Sequence, residues 1–80
     1  MERVFTIELD QQGETVELHL NKNGAEFLRD VLTKLIQNST VSDHHFMSPD
    51  WGGDELSSVK QNLSDDIKLM HQLKILYSKE

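Results

Sequence analysis

Two short runs of alternating residues, separated by a glycine-containing turn, set the first limit on what this chain can become. Over residues 4–9, Phe5, Ile7 and Leu9 alternate with Thr6 and Glu8; over residues 15–20, Val16, Leu18 and Leu20 alternate with Glu17 and His19. A period of two puts successive side chains on opposite faces of an extended chain. Each run therefore reads as a half-buried strand, apolar set inward and polar set outward. Asp10-Gln11-Gln12-Gly13-Glu14 supplies a polar turn between them, and the pair predicts an antiparallel hairpin over 4–20.

A helix follows over 23–38. Asn23 is placed to cap the free amides of its first turn, with Glu26 completing a capping box. Ala25, Leu28, Val31, Leu32, Leu35 and Ile36 recur at three- and four-residue spacing and form one apolar stripe, with Phe27 at its margin. Arg29, Asp30, Lys34 and Gln37 lie off the stripe, and Ser39 and Thr40 break the pattern. The stripe is assigned wholly to packing on the sheet.

The second half is less regular. Residues 43–48 suit a short strand, with Phe46 on one face and His45 and Met47 on the other. Pro49 ends it, because proline lacks the donor that a central strand needs. Residues 50–54 are irregular, 55–57 return to extended chain, and 58–66 form a polar loop with Val59 and Leu63 as weak anchors. Ile67, Leu69, Leu73, Ile75 and Tyr77 lie at strand spacing interrupted by His71, although Ile67, Met70, Leu73 and Tyr77 also suit a helix begun at Ser64. The β-branched and aromatic end favours one C-terminal strand over 67–77. The expected architecture is a single α+β domain over 1–80, a small antiparallel sheet in β-β-α-β-β order with one amphipathic helix packed on one face.

Leu, Ile, Val and Phe number 23 of the 80 residues, above the floor of roughly one fifth below which charged chains tend to stay disordered. With no cysteine, disulfides, thiolate zinc sites and cysteine nucleophiles are excluded. No leader-like N-terminus and no membrane-length apolar run is evident, and a cytoplasmic location is expected. The net charge of -6 argues against direct nucleic-acid binding, which needs clustered Lys and Arg. Between residues 43 and 66, six acids face one lysine, Lys60, a surface suited to a basic partner or simply to solvation.

Ordinary fold-building does not account for D-H-H-F-M-S-P-D-W-G-G-D-E-L at residues 43–56. It gathers two adjacent histidines, the sole proline, the sole tryptophan and a Gly-Gly pair. His44, His45 and His71 with Asp43 or Asp54 suggest zinc ligands. A strand, however, aims His44 and His45 at opposite faces, and neither H-x-H nor H-x-x-x-H spacing occurs. A hydrolase built on His44 or His45 with a carboxylate lacks a nucleophile context, a phosphate-cradling loop and room for a deep pocket. The chain is read as a non-enzyme without cofactors. Trp51 among glycines, flanked by Asp50, Asp54 and Glu55, has the anatomy of an interface anchor with a charged rim; the plainer alternative is a plug over a sheet edge.

Residues 43–57 resemble the H-x-H-L-M-T-P-x-W-G-G-x-E-L-S signature of the immunity protein 32 family of bacterial polymorphic toxin systems. The later H-Q-L-K-I-L-Y at 71–77 is similar to that family's N-H-L-R-I-Y segment. The adjacent His44-His45 stands where the family spaces its histidines, and Gln72 and Leu76 also depart from the pattern. The resemblance implies an antitoxin-like protein that binds and neutralises a cognate toxin protein. On the reading of the acidic, Trp51-containing loop, Asp50, Trp51, Asp54 and Glu55 are the expected contacts, with Asp43 and His44 at the rim. Were the toxin a nuclease, the acids would stand in for phosphate in its basic cleft. The other expectations are a small metal-binding protein using His44, His45 and His71, and a homodimer through an exposed sheet edge.

Overall fold

The structure is a computed structural model that describes residues 2–38 and 43–78. It is α+β, with one helix and small antiparallel sheets. The elements in chain order are β1 (Phe5–Asp10), β2 (Val16–Leu20), α1 (Lys22–Gln37), β3 (Asp43–Met47), a 3₁₀ turn (Pro49–Trp51), β4 (Ile67–Met70) and β5 (Gln72–Leu76). They form two sheets rather than the single one expected, β2-β1-β4 and β3-β5.

The hairpin forms in the register that alternation demands, with Ile7 opposite Leu18 and Glu8 opposite Glu17. Its turn is organised by Asp10, whose carboxylate accepts from the amides of Glu14 (2.9 Å) and Thr15 (3.3 Å), while Gly13 supplies the positive φ of 75°. The helix starts earlier than its periodicity predicts. Asn21, not Asn23, is the cap, and its Oδ1 accepts from Gly24 N at 2.9 Å. The same oxygen accepts from Val4 N at 2.9 Å, so one side chain ties the helix start to the approach to β1. Glycine stands at position 24 because a Cβ there would lie 1.9 Å from Val4 O. Two asparagines two residues apart look alike to a pattern argument, and contact with β1 selects between them.

The core consists of Phe5, Ile7, Val31, Leu35, Phe46 and Leu56. Phe5, Phe27 and Phe46 meet edge to face, with centroids 5.2–6.1 Å apart, and so join β1, α1 and β3. Both strands depart from the half-buried reading: on β2 the predicted inner residues Val16, Leu18 and Leu20 are exposed while Glu17 and His19 are half-buried, and on β1 Thr6 and Glu8 on the predicted outer face are as fully buried as Phe5. The segment 58–66 covers that face. It is held by its backbone amides at Gln61 and Asn62, whereas Val59 and Leu63, the expected anchors, are exposed.

The predicted C-terminal strand 67–77 divides at His71, and the division exchanges sheets. Its first part pairs with β1, Met70 opposite Ile7; its second pairs with β3, Leu73 opposite Phe46. Met70 packs on the core, as do Leu73, Ile75 and Tyr77. A step of three from Met70 to Leu73 would reverse faces in a continuous strand, so the bend at His71 is what keeps both halves in the core.

Candidate functional site

Residues 48–57 join the two sheets. Leu56 N donates to Met47 O (3.2 Å) on one side, and Ser57 N donates to Phe5 O (2.8 Å) on the other. Ser57 Oγ accepts from Phe5 N (3.0 Å) and donates to Arg3 O (2.9 Å), occupying the edge of β1 beyond the reach of β4. Within the loop the buried Ser48 carbonyl accepts from Trp51 N (2.9 Å) and Gly53 N (3.0 Å). Gly52 closes the 3₁₀ turn with a φ of 89°, and a Cβ on Gly53 would meet Met47 O at 2.4 Å. The two glycines therefore have different reasons: one needs the left-handed region, the other a close backbone approach.

The six predicted contact residues fall into three places. Asp50 and Trp51 lie over the bend at His71, with the Trp51 ring stacked on the imidazole (5.9 Å between centroids, 17° between planes) and Asp50 Oδ2 3.8 Å from His71 Nδ1. His44, Asp54 and Glu55 border a cleft of about 840 Å³ whose wall includes Arg3, Phe27 and Lys34. Asp43 is exposed at the start of β3, 3.2 Å from His45 Nε2.

Their availability differs as well. Trp51 is 58% exposed, with its ring stacked on His71 at the bend between β4 and β5. Asp50 and Asp54 are exposed. Glu55 is half-buried and its carboxylate is engaged by the loop, accepting from Met47 N (3.2 Å) and Asp54 N (3.4 Å). Burial pushes the Glu55 carboxyl up, but these amides, its own amide and the nearby His44 outweigh that and hold it below the ordinary range. His44 is half-buried, its ring 4.5 Å from that of Phe46.

The predicted metal set is not assembled. His44 lies against Phe46, His45 pairs with Asp43, and His71 shares a 2.8 Å hydrogen bond with Ser48 Oγ. Ser48, His71 and Asp50 do not make a nucleophilic triad either. Ser48 is fully buried, and Asp50 approaches the same ring nitrogen as Ser48, so it does not orient the imidazole from its other side.

Among the described residues, Glu8, Glu17 and His19 do come together, on the covered face of the hairpin. The buried Glu8 accepts from Thr6 Oγ1 (2.6 Å), Gln61 N (2.9 Å) and Asn62 N (2.9 Å). Glu17 accepts from Asn62 Nδ2 (3.0 Å) and lies 2.8 Å from His19 Nε2. Burial pushes the Glu8 carboxyl up; the bonds from Thr6, Gln61 and Asn62, with His19, bring it below its ordinary range. The chain's own donors thus satisfy these oxygens, and the cluster reads as an internal fastening. A signal for it was present in the sequence: the hairpin register sets Glu8 opposite Glu17, an unfavourable like-charge pair unless donors lie between them.

No helix among the described residues is long and apolar enough to cross a membrane. No protein-family model, curated protein or solved structure matches this chain.

Proposed function

We propose that this chain is an immunity, antitoxin-like protein that binds and neutralises a cognate toxin domain in the cytoplasm through the outer side of the 43–57 loop. The observation that carries the reading is the presentation of Trp51, an aromatic ring more than half exposed, held on His71 beside the exposed Asp50, with Asp54 exposed further along the same loop. An anchor already ordered by its own loop loses little conformational freedom on binding, which favours affinity. The resemblance of residues 43–57 to the immunity protein signature supplies the class of partner. The acids complement a basic cleft, such as that of a nuclease toxin. Asp50 and Trp51 form the centre of the contact, with Asp54 at the adjoining cleft and Asp43 and His44 at the rim; Glu55 acts by shaping the loop. The mechanism is occlusion and needs no chemistry from this chain.

The test is coexpression with the toxin encoded by the neighbouring reading frame. Trp51→Ala and Asp54→Lys, each with an unchanged circular dichroism spectrum, should abolish protection. Full protection by both variants would move the interface elsewhere.

A further inference from the structure

We infer that β2 is a self-complementary edge through which two copies of this chain pair into one continuous six-stranded sheet. The proposal is independent of the toxin-binding reading and uses a different part of the molecule.

Among the described residues β2 has one neighbour, β1, and is the edge of its sheet. Its polar groups can be assigned by alternation. Asp10 N donates to Thr15 O (3.2 Å) at one end of the hairpin, and Asn21 N donates to Val4 O (3.2 Å) at the other. In an antiparallel ladder, hydrogen-bonded pairs recur at every second residue. Glu17 and His19 therefore bond inward to β1, and Val16, Leu18 and Leu20 direct their N–H and C=O groups at the free edge. The same three side chains are the exposed apolar residues of the strand, at 65%, 46% and 37%. An edge whose outward-bonding residues are apolar and that lacks proline and lysine is only lightly protected against pairing.

The sequence Val16-Glu17-Leu18-His19-Leu20 specifies the occupant. An antiparallel copy related by a two-fold axis at Leu18 sets Leu18 opposite Leu18 and Val16 opposite Leu20, all in hydrogen-bonded pairs. It also sets Glu17 opposite His19 at both non-hydrogen-bonded positions, where side chains approach most closely. Shifting the register by two residues puts Glu17 opposite Glu17 or His19 opposite His19. Charge and polar-group direction thus select one register, and the apolar rows of the two copies become continuous. A five-residue edge falls at the small end of specific interfaces, below about 1,200 Å², so the dimer is a weak and concentration-dependent one.

Sedimentation equilibrium of the full chain from micromolar to millimolar concentration should show a shift from the 9.2 kDa monomer toward twice that mass. Leu18→Lys places two like charges on the axis and should hold the chain monomeric with its circular dichroism unchanged. Because the natural chain has no cysteine, register can be read by cross-linking under a mild oxidant. Leu18→Cys alone should give a covalent dimer, and Val16→Cys should cross-link with Leu20→Cys in preference to itself. A chain that stays monomeric throughout, or a dimer that persists in Leu18→Lys, would overturn the proposal. So would a Val59→Cys variant, altered in the exposed 58–66 segment, that cross-links as readily as Leu18→Cys.

Discussion

Glu8 and Asn62 are separated by 54 positions in the chain, yet the Asn62 backbone amide donates to Glu8 Oε1 at 2.9 Å, inside a side chain wholly removed from solvent. With the bonds from Gln61 N and Thr6, this contact fastens the 58–66 segment over the second face of β1. Glu8→Ala would leave two amides and a hydroxyl without their acceptor. We expect a loss of about 3 kcal/mol, taking about 1 kcal/mol or more for each stranded group. Urea denaturation measures it, and Glu8→Gln, which keeps one acceptor oxygen, should fall between that variant and the natural chain.

Acid should destabilise the protein through the same cluster and through Glu55 in the 48–57 loop. Glu17 is held below its ordinary range by Asn62 and His19; Glu8 and Glu55 are held below theirs by hydrogen bonds that outweigh burial. A carboxyl whose folded pKa is depressed contributes stability that is fully present above its unfolded value and is lost as pH falls through the folded one. The urea midpoint should therefore decline as pH drops through and below the ordinary glutamate range. The decline should be shallower in Glu17→Gln, and an equal slope in that variant would show that Glu17 contributes nothing to it.

The two loop glycines should respond unequally to alanine. Gly53→Ala drives a Cβ into the Met47 carbonyl and side chain, at 2.4 and 2.7 Å, where backbone must move. Gly52→Ala meets no neighbour within 4 Å and faces only the cost of a positive φ, roughly 1–2 kcal/mol. Thermal denaturation should rank Gly53→Ala clearly below Gly52→Ala, and the reverse order would contradict the packing of the loop on β3.

Asn21→Ala should cost about 2 kcal/mol, at the upper end for a helix cap, because Oδ1 serves Val4 N as well as Gly24 N. Asn21→Asp retains the acceptor and gives up only the donation from Nδ2 to Glu2 O, so it should recover much of that loss in the same assay.

The elements were legible where a local period speaks for itself. Phe5, Ile7 and Leu9 against Val16, Leu18 and Leu20 announce the hairpin and its register, and helical spacing announces the helix but not the face it buries: of the predicted stripe Val31 and Leu35 are buried, whereas Ala25, Leu32 and Ile36 are exposed and Phe27, expected at the margin, packs on the core. The loop was legible as unusual but not as a fastening. Its tryptophan and acids drew attention, whereas Ser48, Leu56 and Ser57, which hold the two sheets together, are ordinary residues whose partners lie elsewhere in the chain.

The sequence by itself determined the type and order of the elements and the α+β class, because alternation and helical spacing are properties of neighbours. Tertiary structure decided what covers each face. Thr6 and Glu8 look solvent-facing until the 58–66 segment closes over them, and residues 67–77 look like one strand until β1 and β3 each claim half. Periodicity reports which residues share a side, while burial and sheet membership depend on hydrogen bonds offered from some fifty residues away. A reading of adjacent residues has no access to those donors.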